Sequence, residues 1–148
     1  MRYLFPFFLL VSFCSTAQGV TVMDFVQVKE GRRAEAVYFY ENNWKVYRDI
    51  ALKKGFILSY RLEEVVADSA AGFNLVLITE YRDSVFYHNS ETNFREILST
   101  ARPNGPLLLN KLQPADFRTN LFVTITRNLF RSYPASYTTE NPGHLEYP

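Results

Sequence analysis

The stretch from Val20 to Gly55 most constrains the fold, because it predicts a strand, a tight turn and one long amphipathic helix. The strand covers about Val20 to Lys29, the turn is Glu30-Gly31, and the helix covers about Arg32 to Lys54. Apolar residues recur every three or four positions along one helix face, namely Ala34, Val37, Tyr40, Trp44, Tyr47 and Ala51. Charged residues, Arg48 among them, fall mostly elsewhere, and Lys53-Lys54-Gly55 is a typical helix end. A second strand starts at once, so the unit is β-α-β.

The remaining elements complete a β-α-β-β-α-β order. The predicted ranges are strand Phe56 to Val66, hairpin loop Ala67 to Gly72, strand Phe73 to Tyr81, a helical region from Ser84 to Ala101, and strand Arg118 to Phe130. Asp83-Ser84 is an N-cap signal, and the polar run from His88 to Asn93 is expected to divide the helical region, with Ser90 capping the main helix. This order predicts an α+β, ferredoxin-like fold with a four-stranded antiparallel sheet.

Two helices can cover only one face of such a sheet, whereas strand three is apolar on both sides. Phe73, Leu75, Leu77 and Tyr81 are expected on one side, and Val76 and Ile78 on the other. The uncovered face therefore needs a partner. Two sheets packed face to face would close a barrel with the helices outside, so we expect a homodimer.

At this point the chain resembles the dimeric α/β-barrel superfamily, and in particular its exported, uncharacterised bacterial members. The resemblance covers roughly Val20 to Phe130 and depends on four short segments: Val28-Lys29-Glu30-Gly31, Trp44-Lys45, Lys53-Lys54-Gly55, and Asn74 to Tyr81 with its exit Tyr-Arg-Asp. Glu30 departs from the pattern, which usually has proline there. These motifs are structural, and the superfamily includes haem enzymes, cofactor-free oxygenases and small-molecule binding proteins. The resemblance therefore implies a fold and leaves the activity open.

The first 17 residues have the order of a signal peptide. Arg2 precedes an apolar run from Tyr3 to Phe13, and Ser15-Thr16-Ala17 offers small residues before Gln18. The run is well short of the roughly 20 residues that span a bilayer, which argues against an anchor. Lipidation of Cys14 is disfavoured by the bulky Phe13 before it. We expect cleavage after Ala17, export to the periplasm or beyond, a folded domain over 18–131 and a polar tail over 132–148.

The expected mature chain contains few signs of a standard active site. It has 15 Lys and Arg against 15 Asp and Glu and no cysteine, which argues against nucleic acid as a partner and against disulfides. Phosphate-loop and nucleophile-elbow motifs are absent from the sequence. His144 lies in the tail and His88 in a polar stretch where we expect it to be exposed, so neither haem nor zinc is expected.

Candidate site residues are the polar minority on the apolar strands, together with the central tryptophan of the helix: Asp24, Trp44, Arg61, Glu63, Asn74, Thr124 and Thr126. Buried polar groups need partners, so these side chains could line a ligand cavity. The alternatives are that Arg61 and Glu63 pair across the dimer interface or face solvent, and that Trp44 is a core residue. Two functions stay open: an exported homodimer that binds a small, largely apolar molecule, or a cofactor-independent monooxygenase or isomerase in which Asp24, Arg61 or Asn74 orients the substrate.

Overall fold

The structure is a computed structural model that describes residues 18–66 and 72–129. The predicted signal peptide, most of the predicted hairpin loop and the predicted tail lie outside these residues. The elements in chain order are β1 (Val20–Val28), α1 (Arg33–Phe39), a π-helical segment (Tyr40–Trp44), α2 (Lys45–Lys53), β2 (Ser59–Glu64), β3 (Leu75–Tyr81), α3 (Ser84–His88), α4 (Ser90–Ala101), α5 (Pro114–Phe117) and β4 (Arg118–Arg127).

The four strands form one antiparallel sheet in the order β2-β3-β1-β4. This order is that of the ferredoxin-like fold, so the predicted architecture is confirmed. β1 and β3 are central, and β2 and β4 are the two edges. A register shift between Phe25 and Val26 interrupts the pairing of β1 with β4.

The helices of the described part pack on one side of the sheet, which we call the helix side. One core cluster joins Val20 and Tyr81 of the sheet to residues of α2, α3 and α4, and a second joins Val26 and Leu77 to Tyr40. The opposite side, called the open side, carries an aromatic group in which the Phe25 ring stacks on that of Phe122 and meets Phe73 edge-on. The predicted covering of one side of the sheet by helices is thus observed. Within residues 18–66 and 72–129, no helix is long and apolar enough to cross a membrane.

The first helix runs over nearly the predicted range, but its middle is π-helical. Such widened turns occur frequently at functional sites. Within it, Asn43 is fully buried and holds the later loop, because its Oδ1 accepts a hydrogen bond from the Leu107 backbone N–H (2.7 Å) and its Nδ2 donates to the Leu107 carbonyl (2.8 Å). The π-helical segment therefore fixes the position of the chain after α4.

Several local predictions need correction. β2 is shorter than predicted, and Phe73 precedes β3 and packs on the open side, away from Leu75 and Leu77. The division of the second helical region is confirmed, with Asp83 capping α3 and Asn89, rather than Ser90, at the N-cap position of α4. The short α5 was not predicted, since four residues are too few to show a helical period.

Candidate functional site

Strand register assigns the five predicted site residues that lie in strands to a side of the sheet. Val26 packs against Tyr40, and alternation then places Asp24 on the helix side as well. Arg61 and Glu63 of β2, and Thr124 and Thr126 of β4, fall in register with open-side positions. The sheet thus separates Asp24 from four of the other candidates.

A cleft lies between the first helix and the outer edge of β2. Its volume is about 540 Å³, within the usual range for small-molecule pockets. Four consecutive β2 residues line it, and consecutive strand residues point to opposite sides, so the cleft follows the free edge of the strand. The lining residues are Tyr40, Glu41, Trp44 and Lys45 from the helix and Tyr60, Arg61, Leu62 and Glu63 from β2.

Aromatic side chains form the inner wall of this cleft. The rings of Trp44 and Tyr60 meet edge-on with centroids 5.4 Å apart, and Tyr40 is 1% exposed at the base. The Tyr60 hydroxyl donates to Asp49, whose other carboxylate oxygen accepts from Lys45 Nζ at 2.9 Å. Burial and the hydrogen bond to Asp49 raise the pKa of Tyr60, so this hydroxyl stays protonated at neutral pH. The wall is therefore apolar, rigid and uncharged, with charged groups at its rim.

Three predicted site residues meet in the cleft: Trp44, Arg61 and Glu63. Arg61 Nε and Glu63 Oε1 are 3.2 Å apart, and both side chains are exposed, so this ion pair lies on the rim. Trp44 is half-buried and contributes to both the core and the cleft wall. The two readings of Trp44 from the sequence are thus both partly correct.

The other open-side and loop candidates have local partners. Asn74 Oδ1 accepts a hydrogen bond from the Val28 backbone N–H at 2.6 Å, which secures the end of the central strands. Thr126 Oγ1 makes a long contact of 3.5 Å with the Thr21 carbonyl, and Thr124 lies opposite Met23. These residues do not join the cleft.

A second group of polar side chains lies on the helix side, and we call Asp24, Tyr40, Arg48 and Arg118 the Asp24 cluster. Burial raises the pKa of Asp24, and the charges of Arg48 and Arg118 oppose that rise. Burial lowers the pKa of Arg48 and raises that of Tyr40. All three shifts have desolvation as their largest cause, so the cluster lies largely out of water.

Arg48 is enclosed by other side chains, although the sequence pattern places the charged residues mostly away from the apolar face of the helix. Its Nε donates to Thr79 Oγ1 (3.1 Å), and its Cζ lies 4.0 Å from the Phe94 ring centroid and 5.0 Å from that of Trp44. Two aromatic faces thus hold the guanidinium by cation–π contacts. The signal in the sequence was spacing, because Arg48 follows Trp44 by four residues and shares its helix face.

Arg118 and Tyr40 were not among the predicted site residues. Arg118 Cζ lies 5.4 Å from the Tyr40 ring centroid and 4.9 Å from that of Phe39. Within the described part of the chain, the Tyr40 hydroxyl and Arg118 Nε are buried without a hydrogen-bond partner. Sequence pattern could place Tyr40 in the core, as it did, but could not show an unpaired hydroxyl.

Metal ligation finds no support in the described ranges. Residues 18–66 and 72–129 contain no group of three or more His, Cys, Asp or Glu side chains placed to hold a metal ion. His88 is exposed at the end of α3, as predicted.

No protein-family model matches the sequence, and no curated protein is similar to it. Solved structures do resemble the chain. One is a candidate monooxygenase from Shewanella loihica (14% identity, TM-score 0.45, 77% of this chain and 96% of that one). Another is HapK from Hahella chejuensis (12%, 0.46, 78% and 98%), and a third is a dimeric ferredoxin-like protein of unknown function from Thermobifida fusca (10%, 0.37, 76% and 92%). The chain has a ferredoxin-like fold. At these identities and TM-scores the likeness concerns the fold alone.

Proposed function

We propose that the protein is an exported homodimer that binds a small, largely apolar molecule in the cleft between the first helix and β2. The observation that carries this proposal is the aromatic wall of Tyr40, Trp44 and Tyr60 in a cleft of about 540 Å³. Such walls favour flat apolar ligands, because rings pack edge-on or offset and exclude water over a large area. The charged rim then leaves the ligand's outer edge in contact with polar groups.

Trp44 provides a direct test, because it is the only tryptophan in the chain. Bromobenzene is a neutral, apolar ring that quenches tryptophan fluorescence on contact. We expect saturable quenching, and Leu62→Glu should weaken the apparent affinity at least about tenfold by placing a charge in the apolar cleft. The matched control is Leu58→Glu, since Leu58 is 38% exposed and Leu62 37%, and only Leu62 lines the cleft. Linear, unsaturable quenching that both variants share would refute the cleft as a binding site.

The homodimer part of the proposal depends on the open side of the sheet. Phe25, Phe73 and Phe122 form an aromatic group there, Phe122 is 48% exposed, and the helices of the described part pack on the other side. A second copy presents the same surface, so two-fold packing would cover both aromatic groups at once. Stable interfaces of this kind bury more than about 1,000 Å².

Substitutions at two adjacent residues of β4 distinguish a loss of dimerisation from a general loss of folding. Phe122 lies on the open side, whereas Val123, at 54% exposure, is in register with Asp24 on the helix side. We expect Phe122→Glu to shift the protein from dimer to monomer at micromolar concentration, because two carboxylates would become buried in one interface. Val123→Glu should stay dimeric. Light scattering measures both masses, and a dimer that survives Phe122→Glu would place the interface elsewhere.

Export is supported by the order of Arg2, the apolar run from Tyr3 to Phe13 and the Ser15-Thr16-Ala17 site. The expected result is a mature protein that begins at Gln18. Intact-mass analysis of material from outside the cytoplasm checks this. Retention of residues 1–17, or a lipid on Cys14, would contradict it.

A second candidate function is a cofactor-independent monooxygenase or isomerase, and the environment of Asp24 favours it. A half-buried carboxyl whose pKa is raised is a stronger base than an ordinary aspartate, which suits it to accept a proton from a substrate. The test is oxygen uptake with a dihydroxynaphthalene as the probe substrate. Enzyme-dependent uptake that Asp24→Asn abolishes would favour this function over binding alone, and uptake unchanged by that substitution would exclude Asp24 as the base.

A further inference from the structure

The Asp24 cluster contains polar groups that the chain does not pair. Within residues 18–66 and 72–129, Asp24, Arg48 and Arg118 take part in none of the ion pairs that the structure shows. Arg48 makes one side-chain hydrogen bond there, to Thr79. Arg118 Nη1 donates to Asn120, and the Arg118 guanidinium group also interacts with the Tyr40 hydroxyl. Because buried polar groups are normally hydrogen-bonded, this arrangement calls for another acceptor.

The charges of the cluster do not balance. Two guanidinium groups face one carboxylate, which leaves one positive charge in excess in a region where burial lowers the pKa of Arg48. The hydroxyls of Tyr40 and Tyr81 do not supply the counter-charge, since a phenol is neutral at pH 7 and burial raises both pKa values further. A buried charge is tolerated when a counter-charge with hydrogen bonds accompanies it. The missing group is therefore an anion that accepts hydrogen bonds.

The surroundings are apolar and open on one side. Val123 is the register partner of Asp24, and Ile125 is the next residue on the same side of β4, in register with Val22. Both are more than half exposed, although they lie on the side on which the helices pack. The helix layer thus leaves β4 uncovered, and Phe94 adds an aromatic face above Arg48. A ligand could enter over β4 and place an apolar group there.

We propose that the Asp24 cluster binds a small organic acid, with the carboxylate between Arg48 and Arg118 and the apolar part over Val123 and Ile125. The Tyr40 hydroxyl and Arg118 Nε supply hydrogen bonds that they do not make within the described chain. Carboxylates match the fork of a guanidinium group, and such charge-assisted bonds are among the stronger ones in proteins. Tyr40 separates this site from the cleft, because its ring lines the cleft and its hydroxyl is buried.

The test uses the full-length mature protein and benzoate, followed by titration calorimetry. We expect Arg118→Met to weaken benzoate binding at least tenfold, since it removes one of the two cations. Asp24→Asn should tighten binding severalfold, because it removes a like charge beside the bound carboxylate. Arg95→Met, a matched change at an exposed arginine of α4, should leave the affinity unchanged. Inorganic phosphate should bind at least tenfold more weakly than benzoate, since it lacks the apolar part.

Two further measurements keep the outcome decisive. If Arg118→Met does not fold, Tyr40→Phe removes only the unpaired hydroxyl and should still weaken benzoate binding about threefold or more. Bromobenzene quenching of Trp44 should be unchanged in Arg118→Met, because Arg118 does not line the cleft, and this result separates the two sites. Weaker binding in Asp24→Asn, an equal loss in Arg95→Met, or phosphate binding as tight as that of benzoate would overturn the proposal.

Discussion

Asn43 and the Asp24 cluster are both buried polar features on the helix side, and they differ in how they are paired. Asn43 uses its amide completely, with hydrogen bonds to the backbone of Leu107 and to the Phe39 carbonyl at 2.7 to 2.9 Å. The Asp24 cluster leaves a hydroxyl and a guanidinium nitrogen unpaired within the described residues. The first arrangement stabilises the folded chain. The second costs free energy until something else binds.

This difference in pairing gives a criterion for distinguishing buried polar groups that stabilise the fold from those that bind a ligand. A buried polar group that the chain itself satisfies contributes modestly to stability, about 1 kcal/mol for each hydrogen bond, and its removal costs more because its partners are left unpaired. A polar group left unpaired lowers stability in the free protein, and a complementary ligand would offset that cost. Substitutions in these two regions, and at the exposed Arg61 pair, should therefore change the free energy of unfolding by different amounts.

The largest effect is expected for Asn43→Ala. The change leaves the N–H and carbonyl of Leu107 without their partners, so the free energy of unfolding should fall by about 3 kcal/mol. The neighbouring Asn42→Ala is the matched control, since the Asn42 side chain makes one hydrogen bond, to the Tyr38 carbonyl, and its loss should cost less than about 1 kcal/mol. Urea unfolding at fixed protein concentration measures both. Equal losses would show that the loop held by Asn43 contributes nothing to stability.

Patterns in the sequence do not predict most of this difference between Asn43 and the Asp24 cluster. Apolar spacing placed Tyr40 in the core and alternation predicted both sides of β3, because burial follows the periods of helix and strand. Arg48 falls outside the apolar pattern of the helix, and that pattern does not show that two aromatic rings cover this charged side chain. The π-helical turn at Asn43 changes the backbone hydrogen bonding without a signal in apolar spacing. Asp24 and Trp44 are both candidates from the sequence, but only the sheet register shows that Asp24 lies on the helix side.

An intermediate effect with the opposite sign is expected for Asp24→Asn. Burial raises the pKa of Asp24 above its ordinary value of 3.8, so in the unfolded chain the group ionises at lower pH than in the folded protein. Folded stability therefore falls as the pH rises through this interval, and it stays reduced above it.

At pH 7, Asp24→Asn should accordingly be more stable than the unchanged protein, by on the order of 1 kcal/mol, a typical size for a single substitution. The advantage should shrink as the pH falls towards and below 3.8, because Asp24 then becomes protonated in the unfolded chain as well as in the folded protein. Urea unfolding at several pH values, with Asn42→Ala as a pH-independent control, gives the comparison. A variant less stable than the unchanged protein at pH 7 would mean that Asp24 is already paired in the folded protein.

The smallest effect is expected for Arg61→Met, which tests the exposed pair of Arg61 and Glu63 against the buried cluster. Both side chains are exposed in the single chain, and exposed ion pairs contribute no more than about 1 kcal/mol. Unfolding at fixed protein concentration should therefore show a loss below about 1 kcal/mol. If the proposed dimer buried this pair on the open side, removal of one member would leave Glu63 without its counter-charge and cost about 3 to 5 kcal/mol. That larger loss would move Arg61 from the solvated rim of the cleft into the interface between two copies, whereas the smaller one leaves it at the rim beside the aromatic wall.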